Sequence, residues 1–385
     1  MKLKSYHYYE FPNENHSWEV RPFSLENINL FVGKNAAGKS RILNTINSLT
    51  NFVNRQQIKL WNSGFWFLKF EDGDDEISLE ISIVGGKVDR EEFRVNGETK
   101  LSRGQNGTGR IWFDKFEQMS DFQVDPASLA VVARHDEIQH GFLSKIHNWF
   151  SAVRMFQFST DLGRSTIHFV PVSAKGAVDS ASDTPILPVN DPNAVVAQYH
   201  QSYTAYGDQY DKAILNDLEE IGYPCTDVQS RLAPNAPFVQ GNAPVILAVQ
   251  EVGRSALTNQ FDMSMGMFRA LSIIIHINAI AFHGEPTTVL IDDIGEGLDF
   301  ERSTALIRLL IRRFEGSGNQ LIMTSNDRFV MNEVDLKYWH ILNRSAETVR
   351  ILDYANSGEK FDHFKLIGLS NFDFFSREIY LENGN

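Results

Sequence analysis

The chain has 385 residues, of which 42% are apolar and 22% charged, so it can bury one large core or two lobes that share an interface. Its net charge of −13 argues against a protein whose whole surface holds nucleic acid, although a local basic strip stays open. The single cysteine, Cys225, excludes a disulfide framework and a zinc–thiolate cluster and suits a reducing cytoplasm, and no apolar secretory signal follows Met1.

The first strong motif is a glycine-rich turn that fits G-x-x-x-x-G-K-[ST] at every fixed position. Its residues are Gly33, Lys34, Asn35, Ala36, Ala37, Gly38, Lys39 and Ser40. The segment 28–32 before the turn predicts a short strand, and the apolar spacing of 41–49 predicts a helix. In that setting backbone N–H groups surround a polyphosphate, Lys39 contacts the β and γ phosphates, and Ser40 offers its hydroxyl to Mg²⁺. The motif in this context predicts a nucleotide-binding protein rather than a plain glycine turn before a helix.

An antiparallel sheet is predicted next, from three runs of strand-forming residues with glycine turns between them. The runs cover 64–70, 77–84 and 91–95, and the turns lie at 72–73, 85–86 and 96–97. Residues 1 to about 115 therefore predict an antiparallel sheet with the phosphate-loop unit threaded through it. The glycine-rich stretch 103–110 lacks a strand–helix frame, so it is interpreted as a mobile hairpin tip and not as a second phosphate loop.

The middle of the chain predicts helices and a long connection. A helix is expected over 141–158, with Phe142, Ile146, Phe150 and Val153 on one stripe. The polar stretch 173–192 predicts a loop or flexible connection. Asp191 and Pro192 at its end are typical of an N-cap and a first-turn proline that open a helix. A further helix from Tyr210 should end at Gly222, and a strand is predicted at 245–249.

The second half predicts a buried helix at 270–282, which is too short and too polar to span a bilayer. The apolar strand 287–293 then ends in Asp292 and Asp293. A buried parallel strand with an acid at its carboxyl end is where α/β proteins hold Mg²⁺ beside a phosphate. The following helix carries four arginines, which are interpreted as a solvated face although they could form a basic strip. These arginines are Arg302, Arg308, Arg312 and Arg313.

A family resemblance comes from three motifs in order: the phosphate loop, the run 263–269 with the pattern [L/M]-S-x-G-x-x-R, and the strand with its paired acids. This order resembles the ABC-type ATPases, and within them the RecF-like and OLD-like branch, including stand-alone ATPases of anti-phage defence. The resemblance implies an α/β fold: a phosphate-loop core with an antiparallel β subdomain and a helical lobe. The predicted division is 1–140 for the first ATPase lobe, 141–263 for the helical lobe with its connection, and 264–385 for the rest of the core.

The resemblance also implies site residues, with ATP and Mg²⁺ as cofactors. Ser264 and Gly266 would face the γ-phosphate held by another protomer, so ATP would join a homodimer or higher oligomer. Ser40 and Asp292 would bind Mg²⁺. Asp293 stands where the family has a catalytic glutamate, and Glu296 could substitute for it. Asn326 stands where the family has a switch histidine, and Asp299 would face the opposite protomer. The glutamine at the lobe junction would be Gln139 or Gln157.

Asp293 is one methylene shorter than glutamate, and Asn326 cannot carry a proton, so hydrolysis is expected to be slow. Only about 55 residues follow Asp327, with a few closing elements and no separate nuclease expected. The leading hypothesis is therefore a cytoplasmic ATPase, without a membrane partner, that acts as a switch or scaffold for a separately encoded nuclease or toxin in anti-phage defence. The alternative is a RecF- or SMC-like ATPase that clamps duplex DNA, and a transport-energising subunit has the least support.

Overall fold

The computed structural model describes residues 1–54, 61–171 and 191–381. The predicted connection at 173–192 lies outside these ranges except for its last two residues. The strands are β1 (Lys2–Glu10), β2 (Trp18–Ser24), β3 (Ile28–Val32), β4 (Ser63–Asp72), β5 (Asp75–Val84), β6 (Lys87–Val95), β7 (Glu98–Arg103), β8 (Thr108–Phe113), β9 (Gln118–Gln123), β10 (Val153–Gln157), β11 (His168–Pro171), β12 (Cys225–Leu232), β13 (Asn242–Glu251), β14 (Thr258–Asn259), β15 (Thr288–Asp292), β16 (Gln320–Thr324), β17 (Trp339–Ser345) and β18 (Thr348–Asp353). The helices are α1 (Lys39–Val53), α2 (Ala130–Ala133), α3 (Ser144–Ala152), α4 (Val195–Tyr206), α5 (Asp208–Glu220), α6 (Met265–His283), α7 (Phe300–Phe314), α8 (Arg328–Glu333), α9 (Tyr354–Lys365) and α10 (Asn371–Ser376).

One 14-stranded sheet runs through the molecule in the order β10-β15-β16-β3-β17-β18-β2-β1-β4-β5-β6-β7-β8-β9. Its first five strands pair in parallel with one another, and β17 then pairs antiparallel with β18. The strands from β1 to β9 in this order pair antiparallel. The predicted antiparallel sheet with the phosphate-loop unit threaded through it is therefore present. Within the stretch 103–110, residues 104–107 form the tight connection, while Arg103 ends β7 and residues 108–110 begin β8.

The sheet separates two hydrophobic cores because successive side chains of a strand point to opposite faces. On β3, Leu30 belongs to the core formed with α6 and α7, whereas Phe31 belongs to the core formed with α1 and the antiparallel strands. The smaller sheet of β11 to β14 packs with α4 and α5 against α6. Helix α6 is long and apolar enough to cross a bilayer, with a mean hydropathy of 1.6, but 83% of that window is buried inside the protein.

The helix predicted over 141–158 is wrong in its second half. A short 3₁₀ turn and α3 occupy the stretch up to Ala152, and the chain then becomes β10. Val153, Met155 and Phe156 are buried between the two cores, and β10 pairs in parallel with β15. Apolar spacing cannot separate a buried strand from a helix stripe over so few residues, and here the pairing with β15 decides the structure.

The helix predicted to open at Asp191 begins four residues later, at Val195. Asp191 instead makes a turn, in which its carboxylate accepts the N–H of Asn193 at 2.9 Å and its carbonyl accepts the N–H of Ala194. The carbonyl of Pro192 bonds the ring of His276 at 3.2 Å, which ties the turn to α6. The division at residues 140 and 263 stays a prediction.

Candidate nucleotide-binding site

The glycine-rich turn connects the end of β3 to the start of α1, as predicted. Ala36 and Gly38 have φ values of 63° and 108°. A Cβ atom at Gly38 would also lie only 3.1 Å from the ring of Trp18, so both the backbone angle and the space require glycine here. The N–H groups of the first turn of α1 have no partners within the helix. This end of β3 therefore offers a set of donors to an anion.

Lys39 is the buried cation of this turn, with 6% of its surface exposed. Its ammonium group donates to the carbonyl of Gly33 at 2.9 Å. Burial lowers the pKa of Lys39, and the carboxylates of Asp293 and Asp292 oppose that shift. The two acids at the end of β15 are therefore close enough to Lys39 to act on its charge.

The other residues of the turn are partly engaged with neighbouring segments. Lys34 forms an ion pair with Glu378, and Asn35 accepts the amide N–H of Asn326 at 3.3 Å. The carbonyl of Ala36 accepts the Arg344 guanidinium at 2.9 Å. Ala37 is buried, and Ser40 is half-buried at the second position of α1.

Asp292 and Asp293 differ in their surroundings although they are neighbours in sequence. Asp292 is 5% exposed and accepts the hydroxyl of Thr324 at 2.7 Å. The same oxygen of Thr324 accepts the N–H of Asp293 at 2.8 Å, and Asp293 has a left-handed φ of 53°. Burial, and after it the charge of Asp292, raises the pKa of Asp293, whereas Lys39 lowers it. Asp293 is thus a half-buried carboxyl group with an elevated proton affinity.

Three other predicted residues surround this pair. Glu296 is exposed, and its N–H donates to the carbonyl of Asp293 at 3.1 Å. Asn326 lies one residue beyond the buried Ser325 that follows β16, and its amide reaches the turn as described above. Gln157, at the end of β10, is the register partner of Asp292, and its amide donates to Asn44 at 3.4 Å.

The structure distinguishes the two glutamines that the sequence left open. The carbonyl of Gln139 accepts the N–H of Asp114, which follows β8 near the far edge of the sheet. Gln157, not Gln139, therefore lies beside the acids and α1.

Ser264 and Gly266 form a second half-site, at the start of α6. Ser264 is the N-cap of α6, where its hydroxyl accepts the N–H of Met267 at 3.2 Å. Burial raises the pKa of the nearby Tyr223 phenol, and Ser264 opposes that shift. A Cβ atom at Gly266 would lie 2.6 Å from the carbonyl oxygen of Gly297, so only glycine allows this helix turn to approach the 295–299 loop. Their nearest described neighbours come from that loop and Tyr223 rather than from the glycine-rich turn. Asp299 caps α7 at the end of the same loop.

Sequence reasoning gave no role to two residues that organise the site, although Arg269 ends the 263–269 motif. Thr324 holds both acids, as above. Arg269, on α6, donates to the carbonyl of Thr160 at 3.0 Å and to that of Glu296 at 3.1 Å, and it is 9% exposed. The arginine at the end of the 263–269 motif was the available signal for Arg269, and a hydroxyl at the end of a mostly apolar strand was the signal for Thr324.

The four arginines of α7 form no basic strip, because each pairs with an acid. The pairs are Arg302 with Asp299, Arg308 with Glu333, Arg312 with Glu220, and Arg313 with Asp217. Their positive charge is therefore neutralised within the protein.

The fold is that of solved Smc head domains. The chain is similar to the crystal structure of an Smc head bound to the C-terminal winged-helix domain of ScpA, with a TM-score of 0.53 and 10% identity over 91% of this chain and 97% of that one. It is also similar to an Smc head domain with an extended coiled coil, bound to the C-terminal domain of ScpA, from Pyrococcus furiosus, with a TM-score of 0.51 and 10% identity over 94% and 99% of the two chains. The predicted fold class is thereby confirmed. No protein-family model matches the chain, and no curated protein matches it in sequence.

Proposed function

We propose that the protein is an ATP-binding and slowly hydrolysing ATPase in which two copies enclose the nucleotide. The observation that carries the proposal is the separation of two half-sites on one chain. The glycine-rich turn, Lys39 and the acids of β15 form one half, and the start of α6 with Ser264 forms the other. Among the described contacts of Ser264 and Gly266 none involves the glycine-rich turn of the same chain, so a second copy would bring the two halves together.

The donor set suits a magnesium–nucleotide complex. The Asp292 carboxylate and the Ser40 hydroxyl are hard oxygen ligands, and Mg²⁺ beside phosphates takes only one or two such protein groups. Bound Mg²⁺ would neutralise phosphate charge. Lys39 would hold the β and γ phosphates, Gln157 and Asn326 would hydrogen-bond near the γ end, and Asp293 would accept a proton from the attacking water.

The dimer is tested by the mass of the protein in solution. Sedimentation of the 43.8 kDa chain should show a monomer without nucleotide and about twice that mass with ATP and Mg²⁺. An unchanged monomer mass at saturating ATP would contradict the proposal. ATP without Mg²⁺ is the control for a non-specific effect of the nucleotide.

Asp293 can be tested by turnover. Asp293→Asn keeps the shape and tolerates the left-handed backbone, and it should lower turnover by about 100-fold, as expected for the loss of a general base. Asp293→Glu restores the longer side chain and should raise turnover above that of the natural protein. The matched control is Glu296→Gln, in the same loop, which should keep most of the activity. Rapid turnover that survives Asp293→Asn, or that disappears in Glu296→Gln, would assign the base elsewhere.

The biological role proposed is an ATP-controlled switch or scaffold for a separate effector protein, a nuclease or toxin, in anti-phage defence. The solved Smc heads are bound to a domain of another protein, ScpA, which supports a protein partner. The anti-phage role rests on the motif resemblance alone. A pull-down from the native cell should recover the effector in an ATP-dependent manner.

ATP-dependent, salt-sensitive binding of duplex DNA would favour the alternative function, the DNA clamp. The paired arginines of α7 do not support a DNA clamp.

A further inference from the structure

The proposed nucleotide site has a direction, which the order of the strands determines. Asp292 and Asp293 end β15, and Thr324 ends β16, and both strands lie on one side of β3 in the sheet. Since Lys39 reaches the β and γ phosphates, the γ end of a bound triphosphate points towards these acids. The nucleoside end would then leave on the other side of β3, where β17 and β18 come first and β2 and β1 follow. On that side the first turn of α1 reaches β1 and β2 through Arg41.

Arg41 occupies that exit. It is the third residue of α1, and its guanidinium carbon lies 4.3 Å from the ring centre of Trp18, at the start of β2. The side chain pairs with the carboxylate of Glu10, at the end of β1. Glu10 is held in turn by the hydroxyl of Tyr8 at 3.1 Å, and Tyr8 is itself buried. The guanidinium plane is thus fixed by a built network and not by chance contact.

One face of this guanidinium is covered by Trp18, while the Arg41 side chain remains 44% exposed. The indole N–H of Trp18 has no hydrogen-bond partner among the described residues. Trp18 is 1% exposed, and Gly38 packs against its ring. Trp18 is therefore a buried, fixed surface on which the guanidinium lies. A planar arginine with an open face is a stacking surface for a flat aromatic ring.

We infer that Arg41 binds the nucleoside half of the nucleotide, with its open face stacked on the base. The inference rests on the proposed nucleotide site and adds to it the group that distinguishes a nucleotide from a bare polyphosphate. Trp18 supports the guanidinium from below, and Glu10 and Tyr8 prevent it from turning towards the phosphates.

The experiment compares ATP with inorganic tripolyphosphate, both with Mg²⁺, by titration calorimetry. Arg41→Ala should weaken ATP binding about 10-fold, as expected for the loss of one stacked base, and should change tripolyphosphate binding less than about twofold. Arg41→Lys keeps the charge but not the plane, so it should weaken ATP binding nearly as much. The matched control is Arg21→Ala, on the same strand as Trp18, where the arginine is 55% exposed and pairs with Glu19. It should bind both ligands normally.

Several outcomes would overturn the inference while leaving the nucleotide site intact. Equal losses for ATP and tripolyphosphate would make Arg41 a phosphate contact, and normal ATP binding by Arg41→Ala would remove it from the site. Selective loss of ATP binding in Arg344→Ala instead would place the base in the cavity between the turn and Glu378, which Arg344 also lines.

If the natural protein binds neither ligand, the proposed function itself fails. Should Arg41→Ala unfold, Glu10→Gln tests the same platform and should weaken ATP binding selectively.

Discussion

Replacing Lys39 by alanine should lower the affinity for ATP about 10- to 100-fold. The ammonium group would lose charge-assisted hydrogen bonds to the phosphates, which together contribute about 1.5–3 kcal/mol. The loss should exceed that of an exposed lysine, because the acids at the end of β15 would then face the triphosphate without their nearest cation. Titration calorimetry with ATP and Mg²⁺ measures the change.

The control for Lys39 lies in the same turn. Lys34 is 71% exposed and pairs with Glu378 at the surface, so Lys34→Ala should change the affinity by less than about threefold. Circular dichroism and the melting temperature of each variant check that the fold is kept. A folded Lys39→Ala protein with normal ATP affinity would remove the turn from the nucleotide site.

Replacing Ser264 by aspartate should abolish ATP-dependent dimers while leaving ATP binding by the single chain nearly unchanged. Aspartate is as good an N-cap as serine, so α6 should keep its first turn. The added negative charge would face the γ-phosphate of the other copy, and like charges at an interface cost several kcal/mol, so the dimer should weaken at least about 100-fold. Sedimentation with ATP and Mg²⁺, together with calorimetry of ATP binding, separates the two effects.

Two controls isolate the charge at Ser264. Ser264→Asn keeps the cap without the charge and should form dimers, though more weakly than the natural protein. Ser370→Asp introduces the same change at the N-cap of α10 and should leave the dimer intact. Dimers of Ser264→Asp as stable as those of the natural protein would show that the start of α6 does not contact the nucleotide.

The sequence allowed the turn, β3, α1 and β15 to be predicted because each has a strong local signal. The glycine positions report backbone angles and close approaches, and an apolar strand that ends in acids has a fixed place in a parallel sheet. The start of α6 was found through the resemblance of a short motif, and Gly266 now has a physical reason in its contact with Gly297.

Long-range pairing accounts for what the sequence did not show. The stretch after Ala152 has an apolar pattern that suits a helix, and only its pairing with β15 makes it a strand and places Gln157 beside Asp292. Thr324 and Arg269 act through residues more than 25 positions away in sequence, so a local pattern can mark these positions but does not show which groups they bond.

The bonds made by Thr324 restrict how this protein can vary. The hydroxyl of Thr324 donates to the carboxylate of Asp292 and at the same time accepts the backbone N–H of Asp293. Among side-chain groups of this size, only a hydroxyl can do both with one atom. Valine would fit the strand equally well but would release both acids, so position 324 should accept only threonine or serine. Proteins that hold their acids in this way should be recognisable by a hydroxyl residue at the end of this strand, even where identity to this chain is as low as the 10% of the solved Smc heads.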